Sequence, residues 1–265
     1  MREERECPSC GLPHTDSLGA FAKTMDVEFS WQEFSLVQCA RCDLIYLGQE
    51  LSQKDFARMY EESLQFNGSV YREPETVAAA KAFYKTCYER LLREIGIDAP
   101  EARVLEVGAG RAWMCMVAHE AHSGLTVAQD VSPECATECP WVDHYVVGNI
   151  SDPAISAHAP YDVISLTHVI EHVPHPVEFM RELKGLLSAR GRMFVTAPHR
   201  PPDWSREPTS RRWQEWSYHH VPGHLQYFSE QAMSIAAAAA DLRLVHWALH
   251  EDGQAFEAVL EARPL

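Results

Sequence analysis

The spacing of hydrophobic residues changes period along the chain, and each change predicts an element. Between positions 51 and 95 the period is helical: Leu51-Ser52-Gln53 opens toward Phe56, Met59 and Tyr60, and after a break at Asn67-Gly68 a longer helix is predicted from Glu73 to Ile95. Phe83, Cys87, Leu91 and Ile95 stand at i, i+4 intervals as its buried stripe, and Gly96 ends it. From position 104 short apolar runs alternate with helical segments. Val104–Val107 reads as a strand, Gly108-Ala109-Gly110 as a tight turn, Arg111–His122 as a helix and Leu125–Asp130 as the next strand. This alternation continues to Pro198 and predicts a parallel sheet with right-handed crossovers, an α/β fold. Asp203–Gly223, rich in Trp, Arg, His and Pro, lacks a clear period and reads as a long inserted loop, a length that in compact domains usually carries function. Ser229 is placed to cap a helix through Ala240, and Leu242–His250 and Gln254–Ala262 read as two strands joined at Asp252-Gly253.

Composition narrows the class. A chain of 265 residues, 46% of them hydrophobic, has ample core for one large domain or a domain plus a small module. No run approaches the roughly 18 apolar residues of a membrane helix, and Met1-Arg2-Glu3-Glu4-Arg5 does not read as a secretion signal, so a cytoplasmic protein without membrane association is expected. The formal net charge of −15, from 38 acids and 23 bases, argues against a surface that tracks DNA or RNA phosphates. Small neutral or cationic substrates are easier to admit. The number of copies in an assembly is left open.

Cys7-Pro8-Ser9-Cys10 and Cys39-Ala40-Arg41-Cys42 are paired C-x2-C units, the spacing of a zinc ribbon built from two knuckles. Four thiolates close a tetrahedral shell and leave no position for water, so the expected role is structural. Val37 and Leu44–Leu47 flank the second knuckle as short strands. The expected boundaries are 1–50 for the ribbon, 51–98 for a helical lid or linker and 99–265 for the main domain. Cys87, Cys115, Cys135 and Cys139 read as small core residues, with a second metal at Cys135 and Cys139 as the less favoured alternative.

The glycine turn carries the first chemistry. Gly108 and Gly110 permit positive φ and close ligand approach, and the following helix offers unpaired N–H groups. The third glycine of the dinucleotide fingerprint is missing, with Trp113 in its place. Glu106 puts a carboxylate at the carboxyl end of the strand, where it would repel a pyrophosphate and attract the ammonium and sulfonium of S-adenosylmethionine. Asp130 ends the next strand, at the position that hydrogen-bonds ribose hydroxyls in doubly wound folds. Together the two carboxylates favour an adenosyl cation over NAD.

Glu106-Val107-Gly108-Ala109-Gly110, Asp130-Val131-Ser132 and Gly148-Asn149-Ile150 resemble the class I S-adenosylmethionine-dependent methyltransferases. Tyr161–Val173, followed by Leu183–Leu187, Arg190-Gly191-Arg192 and Phe194–Pro198, resembles that family's "strand, V-I-E-H, helix, G, strand, P" run, and Tyr218–Ser229 its "H-L-x-x-F-S" signature. The resemblance spans Ala99 to Leu265. It departs at Asn149, where the family usually has Asp beside adenine, and at Ala112, often a third glycine. It implies a Rossmann-like doubly wound sheet, mostly parallel, with the final hairpin as an antiparallel edge. It implies S-adenosylmethionine held by Glu106, Gly108, Gly110, Asp130, Val131, Asn149, Ile150 and Thr167, and a small-molecule acceptor methylated on O, N or C. Methyltransferases with such an amino-terminal ribbon include some acting on sugars. In the family, helices before the first strand cap the cofactor, so Tyr60 and Tyr71 are candidates to line a lid. A methyltransferase-like scaffold whose ribbon docks a partner is the rival reading, and a nicotinamide oxidoreductase a third.

If the acceptor carries a proton, a base is needed. His168, just beyond the fourth strand, and His224, in the loop expected to close over the acceptor, are the two candidates; a structural histidine is the bland alternative for each. Glu171 and His172 follow His168 on one side of a turn. Some relatives, small-RNA 2′-O-methyltransferases and ubiquinone-pathway O-methyltransferases, hold a divalent metal with E-x-x-E-H here. His168, Glu171 and His172, completed by His219, His220 or His224, are therefore an alternative metal set. His199 follows the fifth strand, and Trp204, Trp213 and Trp216 either wall an acceptor pocket or pack the loop down.

Overall fold

The computed structural model describes residues 5–13, 16–31, 33–62, 74–201, 213 and 215–263. The Asn67-Gly68 break, Tyr71, the Tyr60 side chain and Trp204 lie outside them. Strands β1 (Asp16–Ala22), β2 (Glu33–Gln38) and β3 (Ile45–Leu47) come first, followed by helices α1 (Gln53–Glu62) and α2 (Pro74–Ile95). Then come β4 (Arg103–Val107), α3 (Trp113–Glu120), β5 (Leu125–Asp130), β6 (His144–Val147), α4 (Pro153–Ser156), β7 (Tyr161–Thr167), α5 (Pro176–Lys184) and β8 (Leu187–Pro198). Strand β9 (Gln226–Tyr227), helix α6 (Glu230–Ala239), β10 (Leu242–Leu249) and β11 (Ala255–Ala262) follow. Packing divides the chain into two compact units with interleaved segments: residues 1–66, 168–181 and 196–258 make one, and 67–167, 182–195 and 259–265 the other.

The larger sheet has seven strands in the order β10-β11-β8-β7-β4-β5-β6. Strand β4 pairs in parallel with β5 and β7, and β5 with β6. Strands buried on both faces read as continuous apolar runs, and Val104, Leu105, Val163, Ile164 and Leu166 are fully buried. The tight turn from His250 to Ala255, closed by His250 N–H to Ala255 O (2.9 Å), makes β10 and β11 an antiparallel edge. The α/β fold, mostly parallel with an antiparallel edge, is the one expected. Helix α2 begins one residue from its expected start and buries a wider stripe than Cys87, Leu91 and Ile95 alone, since Tyr84, Tyr88 and Leu92 join it. Phe83 is only partly buried. Helix α3 is shorter than expected because Arg111 and Ala112 stay in the turn, Ala112 in left-handed backbone at φ +52°.

In the unit of residues 1–66, 168–181 and 196–258, β1, β2, β3 and β9 form an antiparallel sheet in that order. Strand β1 was not expected. Its register shifts between Ser17 and Gly19, so the inward residues Leu18 and Phe21 stand three apart and break the period of two. These two pack with Phe34, Leu36, Ile45, Trp213 and Tyr227. Helix α1 starts as the capping pattern requires: Ser52 Oγ accepts the Asp55 N–H (3.1 Å) and donates to Asp55 Oδ2 (2.6 Å). Ser229 caps α6 by accepting the Ala232 N–H (3.2 Å), as expected. None of the described helices is long and apolar enough to cross a membrane.

Candidate active site

The turn after β4 takes the left-handed backbone its glycines allow, with φ +60° at Gly108 and +45° at Gly110. Its N–H groups are held from β5. Ala109 N–H donates to Gln129 O (2.9 Å), and Gly110 N–H to Asp130 Oδ2 (2.7 Å). Asp130 Oδ1 accepts from Ser132 N–H (2.8 Å). Each of these oxygens keeps a second lone pair for a ribose hydroxyl. Val131, 49% exposed, and the exposed Asn149 follow β5 and β6, with Ile150 and Thr167 half-buried. Thr167 Oγ1 has no protein partner. The cofactor candidates thus stand at the carboxyl ends of β4 to β7 in one unit. Sequence reasoning missed Gln129. This buried side chain donates Nε2–H to Gly148 O (2.5 Å) and accepts from Gly108 N–H (3.4 Å), tying the ends of β4, β5 and β6 together. A glutamine inside a strand carries no pattern that would have marked it.

Glu106, expected at the ammonium end of the cofactor, has different neighbours. Its side chain is 2% exposed, and Oε2 accepts the Cys115 N–H (2.9 Å). Ala112 at the start of α3 has no side chain to cap the helix, so the carboxylate reaching over from β4 takes the orphan N–H groups. Burial pushes the Glu106 carboxyl up to about 7, against the opposing pull of the Cys115, Met114 and Trp113 amides.

A second constellation lies in the other unit. His168, the residue after β7, has left-handed backbone at φ +52° and donates its N–H to Thr196 O (2.9 Å). Its Nδ1 is 3.2 Å from Glu171 Oε1, and its ring stacks on Tyr218 at 5.7 Å and 12°. Its side chain is 37% exposed, whereas Glu171 is fully buried with Oε2 unpartnered. His172 Nδ1 donates to Gly223 O (2.8 Å), and its Nε2 is 4.0 Å from Glu171 Oε1. His224 is buried: Nδ1 donates to Tyr218 O (2.8 Å), and its ring lies 5.0 Å from that of His172. Burial lowers the pKa of His172 and holds His224 well below the usual imidazole range. The turn at Ile170–His172 is held by Leu225 N–H to Glu171 O (2.7 Å) and by Gln226, whose amide donates to Ile170 O and Val173 O, each at 2.7 Å.

The donors that converge are Glu171, His172 and His224, within 4.8 Å of one another. His168, His219 and His220 stand outside that group. His219 is packed edge-on to Phe21 at 5.1 Å, and burial pushes it down to about 4; His199, its N–H on Gln254 O (2.9 Å), is likewise lowered to about 4. Trp213 and Trp216 are buried, perpendicular to each other at 5.5 Å and both against Tyr227. They pack the loop down.

Cys7, Cys10, Cys39 and Cys42 converge as the spacing predicts, their sulfurs within 4.8 Å of one another. Cys7 and Cys42 sulfurs are 3.4 Å apart and Cys10 and Cys39 sulfurs 3.5 Å, too long for disulfides and close to the edge of a tetrahedral thiolate shell. Burial pushes the Cys10 thiol up, and the hydrogen bond with Cys39 and the nearby Cys42 add to it. Cys87, Cys115, Cys135 and Cys139 are buried thiols outside any disulfide, and the described residues form no second cysteine cluster of this kind.

The sequence profile of a methyltransferase-domain family matches residues 78–247. The ubiquinone biosynthesis O-methyltransferase of Xanthomonas campestris pv. campestris (strain B100) is 28% identical over 113 residues, 40% of this chain and 47% of that protein. The chain therefore spans about half the length of the curated relatives it matches. Among solved structures, the magnesium protoporphyrin IX methyltransferase of Synechocystis PCC 6803 with bound S-adenosylhomocysteine superposes with a TM-score of 0.56 at 13% identity, covering 80% of this chain and 100% of that one. The 1,6-didemethyltoxoflavin-N1-methyltransferase of Burkholderia thailandensis gives 0.55 at 15% identity, covering 90% and 99%.

Proposed function

This chain belongs to the class I S-adenosylmethionine-dependent methyltransferases, and from that membership we propose that it moves a methyl group from S-adenosylmethionine to an oxygen, nitrogen or carbon of a small-molecule acceptor, such as a sugar or a secondary-metabolite intermediate. The observation that carries this reading is Asp130 braced on the glycine turn with acceptor capacity to spare. The names of its relatives support a small acceptor. When bound, the cofactor supplies an electrophilic methyl on a positively charged sulfur. Glu106 acts indirectly, by holding α3 and with it the turn.

His168 is the group we assign to the acceptor's proton. Glu171 accepts from Nδ1–H, which fixes the tautomer and leaves the Nε2 lone pair free, and Tyr218 holds the ring plane. Left-handed backbone at a non-glycine residue is strain of the kind that collects at functional positions. His224 serves in this reading as a buried brace. A second reading draws on the unpartnered Glu171 Oε2: with His172 and His224 in reach, a divalent cation fits the donor set. Activity that survives exhaustive chelation would set that reading aside. At the four cysteines we propose zinc in a structural role.

Isothermal titration with S-adenosylmethionine, S-adenosylhomocysteine and NAD tests the function. The first two should bind, and Asp130→Ala should weaken them by roughly 1.5–3 kcal/mol through lost hydrogen bonds to a charged group. Binding of NAD alone would overturn the proposal. Cofactor binding with no methyl transfer to any acceptor in extracts of the source cell would favour the scaffold.

A further inference from the structure

The turn that receives the cofactor contains two consecutive problems of backbone shape. Gly110 and Ala112 are both left-handed, at φ +45° and +52°. Gly110 adopts this region freely, but the Cβ of an L-residue disfavours it by about ten-fold in population. Within the turn Ala112 N–H donates to Ala109 O (2.6 Å), but Ala112 has no polar side chain and its carbonyl takes its partners from outside the turn. The compensation comes from the chain that follows β5. Trp141 Nε1–H donates to Ala112 O (3.1 Å), which also accepts the Met116 N–H of α3 (2.8 Å). The Tyr145 hydroxyl, on β6, donates to Gly110 O (2.8 Å). Between them the Arg111 guanidinium pairs with Glu138 Oε2 at 2.9 Å. Asp130 meanwhile holds the Gly110 N–H, so both backbone polar groups of Gly110, and with them the two peptide units that flank it, are fixed.

We propose that Trp141 and Tyr145 are positioning residues for the cofactor, two aromatic donors that lock the 108–112 turn in its receiving shape. Trp141 substitutes for the conformational freedom that a glycine at 112 would bring. Without its hydrogen bond, Ala112 relaxes toward right-handed backbone, and Gly110 N–H leaves Asp130. This inference rests on the cofactor site proposed above.

The test is affinity for S-adenosylhomocysteine by titration calorimetry, with thermal denaturation alongside. Trp141→Phe keeps the ring packing and removes the donor, and should weaken binding about ten-fold. Adding Ala112→Gly to that variant should restore affinity to within about three-fold of wild type, because glycine holds the left-handed region unaided. Tyr145→Phe should also weaken binding, and Ala112→Gly should not rescue it, since its partner is already glycine. A merely structural role would lower the melting temperature of Trp141→Phe and leave affinity alone, and that result overturns the proposal. So does a loss of affinity that Ala112→Gly fails to restore. Should Trp141→Phe not fold, unchanged affinity in Tyr145→Phe overturns it instead. Wild-type protein that does not bind S-adenosylhomocysteine would instead refute the cofactor site itself.

Discussion

Glu106 and His168 show how single side chains acquire roles that their residue types alone do not announce. Glu106 titrates near 7 in the folded chain against an ordinary value of 4.5, so the folded state holds its proton more tightly than the unfolded chain does. Its contribution to stability is complete below about pH 4.5 and is lost as pH rises through 7. Glu106→Gln keeps an oxygen for the Cys115 N–H and cannot ionise. Melting curves across this range should therefore fall more steeply with pH in the wild type than in the variant, and parallel curves would mean that another group carries the effect. His168 is half-exposed where His172 and His224 are desolvated, which is why the acceptor's proton is assigned to it in the proposed function. His168→Ala should lower turnover by about 10²–10⁴ while affinity for S-adenosylhomocysteine stays put. Wild-type turnover in the variant would send the proton elsewhere.

Among the described elements, β9 is the shortest, yet it joins segments remote in the chain. It pairs with β3 through Ile45 opposite Tyr227 and Tyr46 opposite Gln226, and Leu47 N–H donates to Leu225 O (2.8 Å). Gln226 in turn holds the turn that carries Glu171. The cysteine knuckle also reaches α6, with Ser9 Oγ on Ala232 O (2.8 Å) and the Gln231 amide on Arg41 O (2.7 Å). Cys39→Ser should therefore abolish binding of the zinc proposed for the cluster and speed hydrogen exchange at Leu47 and Leu225, not only near position 39; faster exchange confined to the knuckle would separate the two. Regular period made α2, β4, β5 and the final hairpin legible in the sequence. It failed where geometry departs from period: at β1 because of its bulge, at the start of α3 because of Ala112, and at Gln129 and Gln226 because a buried amide serving distant carbonyls leaves no trace in spacing. The burial of His224 was not legible for a related reason, since a loop residue's burial depends on partners remote in sequence.

At the scale of the whole molecule, the residues proposed to hold the cofactor fall in one compact unit and the cysteine cluster with the His168–Glu171 pair in the other. S-adenosylhomocysteine at a hundred times its dissociation constant stabilises its site by about 2.7 kcal/mol. Exchange should therefore slow in peptides covering β4, β5 and the segments after them, and slowing limited to β10 and β11 would mean the site lies elsewhere. Consecutive boundaries at 50 and 98 were the natural reading of a linear pattern, whereas the units interleave. That interleaving bears on how such an enzyme could be recombined with its relatives. A crossover placed after the ribbon would give a chimaera whose β9 meets a foreign β3, with Gln226 and the Glu171 turn left to a mismatched edge. Acceptor preference would then pass between homologues only when residues 1–66, 168–181 and 196–258 travel together, as one cassette drawn from three separated stretches of the chain.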